Sequence, residues 1–353
     1  MKTPVLGVLV AFSLGMIASC TSRHDAGRQY DVPELVLQAD DMYDVRTIAF
    51  SPNGRWIASG SLDGQVRLWD ARTGKLIKPL KYGEALVVAT VAFSPDSKTL
   101  AIGNNDGEWD NKLRLLSLAT GAVTRSWTDG LEVDSAAFSP DGKTIAAAIY
   151  TYNEDGQDVG LVVLYDTRTA KLKHKYKVVG SRINSVAFSP NGKYLAGGLY
   201  DNAVMLWSMG DGKPARRLEG NHYVVYSVAF SSDSRLLIAG GGDQQSGEVI
   251  LWDAAAGSLK GTLSTPGHWV RSVAYSPDGK LFASGGGEGN IMLWDPQTGK
   301  VTRKIRAHNV PVRALAFSPD GSRLVSAGGG FAEARDQGDV RIWQVRDDSH
   351  PAR

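Results

Sequence analysis

Few residues of this chain are of types that carry out covalent chemistry, and its one thiol comes first. Cys20 is the only cysteine among 353 residues and stands directly after Ile17-Ala18-Ser19. A single cysteine forms no internal disulfide, which leaves its sulfur for modification. Elsewhere the sequence holds no nucleophile elbow, phosphate loop, paired metal-ligand motif or dinucleotide fingerprint. Three glycine runs, Gly240-Gly241-Gly242, Gly285-Gly286-Gly287 and Gly328-Gly329-Gly330, have the composition of a phosphate cradle. No helical pattern follows them, so they read as turn punctuation. Asn153-Glu154-Asp155-Gly156-Gln157-Asp158 offers oxygens to a hard cation but lacks the alternating carboxylates and distal Glu of a calcium loop. His222, His268 and His308 lack the paired spacing a metal demands and read as structural. No metal or cofactor is expected.

The remaining chemically capable residues occupy one recurring position. Arg46, Ala89, Asp134, Asn184, Tyr226, Arg271 and Arg313 each stand four residues before an aromatic anchor: Phe50, Phe93, Phe138, Phe188, Phe230, Tyr275 and Phe317. Every anchor follows an Ala and precedes a Ser, and an apolar residue stands five before it (Val45, Val88, Val133, Ile183, Val225, Val270, Val312). Successive anchors are 43, 45, 50, 42, 45 and 42 residues apart. Short strands at a period in the low-to-mid forties predict an all-β fold, a seven-bladed β-propeller of four-stranded antiparallel blades. Strand a ends at the anchor, a Ser-Pro-Asp/Asn turn follows, and strands b, c and d complete the blade.

The last blade lacks its fourth strand after Trp343. Glu34-Leu35-Val36-Leu37-Gln38 stands at the right distance before Phe50 to supply it, so the amino-terminal strand is expected to close the ring. Residues 34–345 then form the propeller and 346–353 a polar tail. Repeat length varies almost entirely between strands b and c, at Asn104 to Lys112, Tyr150 to Gly160, Gly241 to Gly247 and Gly328 to Gly338. Alternating strand direction puts these insertions on one face with the d–a loops, and insertions on one face mark a binding face. Arg46, Trp109, Asp134, Asn184, Tyr226, Trp269, Arg271 and Arg313 are the candidate protein-binding residues there, arginines on one side and acids on the other.

The strand-c endings Trp69-Asp70, Trp252-Asp253 and Trp294-Asp295, with Tyr165-Asp166, Trp207-Ser208 and Trp343-Gln344 as near variants and Leu116-Ser117 as a lost copy, resemble the WD-repeat family. Gly267-His268 resembles its Gly-His element, more weakly Asn221-His222 and Ala307-His308. The resemblance implies a structural hydrogen-bond network of His, Ser, an acid and Trp, to which repeat six comes closest with His268, Ser284, Glu288 and Trp294. It covers about residues 34 to 345 and implies the fold, but says little of function.

At the amino terminus, Met1-Lys2, the apolar run Val5 to Met16 and the small residues Ile17-Ala18-Ser19 form a signal-peptide pattern over 1–19. With Cys20 next, it resembles the lipobox of bacterial lipoproteins, which implies a diacylated Cys20; an incidental cysteine in a secretory signal is the alternative. Thr21, rather than Asp, implies the outer membrane, facing the periplasm. Residues 20–33 read as a flexible tether. A net charge of +2, with 22% charged residues, is too balanced to imply a nucleic-acid partner. The expected function is a non-catalytic, lipid-anchored platform of the cell envelope, monomeric by itself, that binds an envelope protein or peptide. The alternative is a lactonase- or quinoprotein-like propeller enzyme with its site at the central channel. Such sites need converging carboxylates or a metal, and the strand-a tops offer one acid, Asp134.

Overall fold

Each repeat carries two strands apolar on both faces between a mixed strand and a polar one, and it folds into a sheet that neighbours must cover. The computed structural model describes residues 32–345, apart from 39–41, 81–86, 106–111, 128–131, 211–213, 266, 268 and 330–337. The described residues form seven four-stranded antiparallel sheets and no helix. In blade one, strands a (Val45–Phe50), b (Trp56–Ser61), c (Val66–Asp70) and d (Leu76–Leu80) pair in that order. Strands b and c are buried because each blade packs on the next, whereas d stays wet on one side. Trp69, Trp207, Trp252 and Trp343 fill the space between blades and are almost inaccessible. Losing one such ring costs ~3–5 kcal/mol. Leu116 fills that place in blade two, fully buried.

The ring closes as the sequence predicts. Leu35–Leu37 pairs antiparallel with Asp339–Gln344, Leu35 opposite Ile342 and Leu37 opposite Val340. The Glu34 amide donates to the Ile342 carbonyl at 2.7 Å. Leu37 is wholly buried in a cluster with Met42, Val340 and Ile342.

Strand a carries a device repeated in all seven blades. Val45 pairs with Ser61 and Thr47 with Gly60, so Arg46 is the extra residue of a β-bulge. Ala89, Asp134, Asn184, Tyr226, Arg271 and Arg313 are extra in the same way. A bulge re-aims the side chain it carries. It also lets Val45 and Ile48, three positions apart, both face the core.

The next residue along joins the blades. The hydroxyls of Thr47, Thr90, Ser135, Ser185, Ser227 and Ser272 accept the backbone N–H of Val91, Ala136, Val186, Val228, Val273 and Leu315 in the following blade, at 3.0–3.3 Å. At the seventh joint this position is Ala314, which has no hydroxyl. That joint is the one spanned by the amino-terminal strand.

Two expectations need correction. The insertion between Tyr150 and Gly160 is mostly strand: Thr144–Tyr152 pairs with Asp158–Asp166 along their whole lengths, and only a short turn projects. The glycine runs are not turn punctuation throughout. Gly240 and Gly285 lie inside strand b, where an added Cβ would come within 2.7 Å of Val270 and Val312 of the next blade. They permit close blade contact and cradle nothing.

Candidate functional site

The seven bulges aim their side chains at one opening. Arg46, Ala89, Asp134, Asn184, Tyr226, Arg271 and Arg313 all line a cavity of about 320 Å³ at the mouth of the channel, with Asn105, Arg182 and Tyr200. Asn105 and Tyr200 come from b–c connections, so the mouth opens on the face that carries the insertions.

One side of the mouth is basic. Asp44 lies between two guanidiniums, 3.2 Å from Arg313 Nε and 3.4 Å from Arg46 Nε. An added Cβ at Gly329 would collide with the Asp44 carboxylate, so this seat needs glycine beside it. Arg271 has no carboxylate within ion-pair reach among the described residues, and its buried Nε has no hydrogen-bond partner there. Its guanidinium lies instead 4.1 Å from the centre of the Tyr226 ring and 5.1 Å from that of Trp269. Burial, with the positive charges of Arg313 and Arg46, pulls Arg271 below its ordinary value. Burial does the same to Arg313, against the opposing pull of Asp44. Both stay charged, since an arginine does not lose its proton in a protein. Among the described residues three cations thus face one carboxylate.

The other side is neutralised. Arg182 grips both oxygens of Asp134, with Nε 2.7 Å from Oδ2 and the second bond from its NH2 group to Oδ1. Asn105 donates to the same carboxylate at 2.5 Å, and Glu132 stands 3.1 Å from Arg182. Burial pushes the Asp134 carboxyl up, and the paired guanidinium opposes it. Arg182 also lies 4.7 Å above the Tyr150 ring. The expected acidic half is therefore an ion-paired wall, and the arginine that makes it so lies in a d–a loop, at a position where no other repeat carries a base. Asn184 is committed as well, its amide donating to the Val225 carbonyl at 2.9 Å. Trp269 is half-buried beside Arg271, while Trp109 and Cys20 lie outside the described residues.

Among the described residues nothing converges here for acid–base work. Each mouth carboxylate, Asp44 and Asp134, is held by arginine. Among the described residues no three His, Cys, Asp or Glu gather as a metal site would require. Asn153 spends its Oδ1 on the amides of Asp155 and Gln157, which makes the candidate cation loop a capped turn.

Among the described residues the structural network is complete in blade seven. His308 Nδ1 lies 2.5 Å from Asp339 Oδ1, His308 Nε2 lies 2.7 Å from Ser326 Oγ, and Trp343 Nε1 donates to that hydroxyl at 2.8 Å. In blade six Trp294 does donate to Ser284 at 2.8 Å, but Glu288 accepts from Asn290 at 3.0 Å, and His268 is outside the described residues.

The family model described as "WD domain, G-beta repeat" matches residues 33–70, 171–208, 212–253, 257–295 and 299–344. The unmatched stretch holds the blades whose strand c ends in Leu116 and Tyr165 instead of Trp. Among curated proteins, 43 residues are 44% identical to the ribosome biogenesis protein BOP1 homolog of Arabidopsis thaliana, 12% of this chain and 6% of that one. Thirty-two residues are 56% identical to protein tipD of Dictyostelium discoideum, 9% of this chain and 5% of that one. The WD40 repeat-containing protein smu1 of the same organism is 50% identical over 36 residues, 10% and 7%. The chain thus matches less than a tenth of the length of each of these relatives. A chain in the crystal structure of the mitotic checkpoint complex shares the fold, with a TM-score of 0.77 and 23% identity over 97% of this chain and 99% of that one.

Proposed function

We infer, from the premise that this chain belongs to the WD-repeat family, that it is a non-catalytic interaction platform whose insertion-bearing face takes a protein or peptide. Members of the family are generally interaction scaffolds of that kind. The observation that carries the reading is the mouth itself, where Arg46 and Arg313 share one carboxylate and Arg271 lies against Tyr226 and Trp269 instead. An arginine held by aromatic faces, without an ion pair, offers its donors to an incoming acceptor, so an acidic side chain of the partner is the fitting guest. Arg271→Ala should weaken partner binding by about tenfold or more while leaving the melting curve in place.

The platform works from a membrane of the bacterial envelope, the outer one facing the periplasm, through acyl chains on Cys20. The support for this is the pattern of residues 1–21 alone. Metabolic labelling with a fatty acid tests it: label should enter the chain and be absent from Cys20→Ser. A photo-crosslinker at Trp269 tests the face. Repeated recovery of one envelope protein from that position supports the reading, and recovery from Lys75 or Lys143 with none from Trp269 would reverse the face.

A further inference from the structure

The outermost strand of each blade avoids negative charge. Leu35–Leu37, Leu76–Leu80, Val123–Trp127, Leu172–Val179, Pro214–Leu218, Leu259–Thr265 and Val301–Arg306 hold eleven Lys or Arg between them and no Asp or Glu. The whole chain has 39 basic and 37 acidic residues, so the sorting is local. Lysine on an edge strand guards against strand addition, but the residues at the start of these strands do not serve that purpose. Leu76, Val123, Leu172, Leu259 and Val301 each open their strand at the insertion-free face, and each is 40–55% exposed. Exposed Lys75, Lys171, Lys260 and Lys300 are next in sequence to four of them.

The acids on this side are at the surface but engaged by their own turns. Asp70, Asp166 and Asp295 accept backbone N–H groups of their c–d turns, Asp96 and Asp141 accept from Ser94 and Ser139, and Asp253 lies 3.7 Å from Lys260. Beside them the rim presents an exposed lysine next to an exposed aliphatic residue in blades one, three, five and six. The chain also joins the body here, since Leu35 lies against the c–d turn of blade one at Gly74.

We propose that this rim is a membrane-contact surface that seats the propeller on an anionic bilayer. Its aliphatic residues enter the headgroup layer and its lysines pair with lipid phosphates. Contacts from five of the seven blades meet a flat surface together, so weak contacts sum. The insertion-bearing mouth then faces away from the bilayer. The proposal rests neither on acylation nor on the reading of the mouth.

The test uses the chain from residue 20 onward as Cys20→Ser, so that neither an acyl chain nor the apolar run Val5 to Met16 contributes, sedimented with vesicles of phosphatidylcholine alone or mixed with phosphatidylglycerol. Binding to the mixed vesicles only, weakening as salt rises, is expected. The triple variant K75Q/K171Q/K300Q should lower partitioning about a hundredfold, at roughly fivefold per basic residue. L172S/V301S provides a second, uncharged variant and should also weaken binding, with melting curves checking both. E154K/D155K, which adds positive charge to the opposite face, should change nothing. Equal binding to neutral vesicles, or a gain from E154K/D155K, overturns the proposal. So does capture of a free polyanion such as DNA by the same lysines with no vesicle binding.

Discussion

At Ser326 one hydroxyl serves two rings. It accepts from Trp343 Nε1 at 2.8 Å and lies 2.7 Å from His308 Nε2, while His308 Nδ1 faces Asp339. A neutral His308 with its proton on Nδ1 satisfies the whole chain: Trp donates to Ser, Ser to His, His to Asp. Ser326→Ala leaves two buried ring nitrogens unpartnered and should cost about 2–4 kcal/mol. Ser59 offers a comparison, because its hydroxyl serves only Trp69, at 2.9 Å. Ser59→Ala should cost about half as much, and urea midpoints that fall equally would mean that the histidine arm contributes nothing. The Trp–Ser part of this network was legible in sequence, because both residues recur at fixed offsets. Asp339 was not, since the insertion before it separates it by 31 residues from His308. Arg182 escaped for a related reason: its position, six before the anchor, carries Asp44, Val87, Glu132, Val224, Trp269 and Pro311 in the other repeats, so no shared residue type marks it.

At the scale of elements, the turns on the insertion-free face are built around carboxylates. In the a–b turn of blade seven Ser318 donates to Asp320 at 2.6 Å and accepts the Arg323 amide at 2.9 Å. That serine bond, opposed by burial, brings Asp320 down to about 2. Asp96, Asp141 and Asp233 are lowered first by the same serine bond, and Asp70, Asp166, Asp253 and Asp295 first by amides of their c–d turns. A carboxylate whose folded value lies below its unfolded one adds stability above about pH 4 and loses it as pH falls toward the folded value. The propeller should therefore hold a constant urea midpoint from pH 7 to about 4.5 and weaken steeply below 4. Ser318→Ala should return Asp320 toward its ordinary value, so the urea midpoint falls at pH 7, the acid limb becomes shallower, and the two proteins converge as pH approaches 2. An acid limb as steep as the parent's would show that the turns do not set acid stability. These turns were legible because Ser, Pro and Asp have fixed roles in them. The inner strand is legible as a strand, and the spacing that requires its bulge is also present in sequence. Val45 and Ile48 are both apolar at a spacing of three, which a regular strand cannot bury together.

The whole molecule is a ring with one joint unlike the rest. Six joints carry a hydroxyl-to-amide bond between inner strands, and the seventh presents Ala314. At that joint the chain instead lays its first strand on its last, and Leu37 and Ala314 belong to one packed cluster with Val45 and Val340. The two devices serve one boundary, so their energies should not be independent. Leu37→Ala removes a fully buried side chain and should cost about 2–5 kcal/mol. Ala314→Ser supplies the missing hydroxyl and should add about 0.5–1.5 kcal/mol if its oxygen finds the Ile48 amide as its six counterparts find theirs. Made together they should depart from additivity by more than about 0.5 kcal/mol, with the serine worth more once the strand is weakened. That result would locate the opening of the ring at the boundary of blades seven and one. Strict additivity would mean that the disc unfolds without first parting there, and the strand would then stabilise blade seven alone.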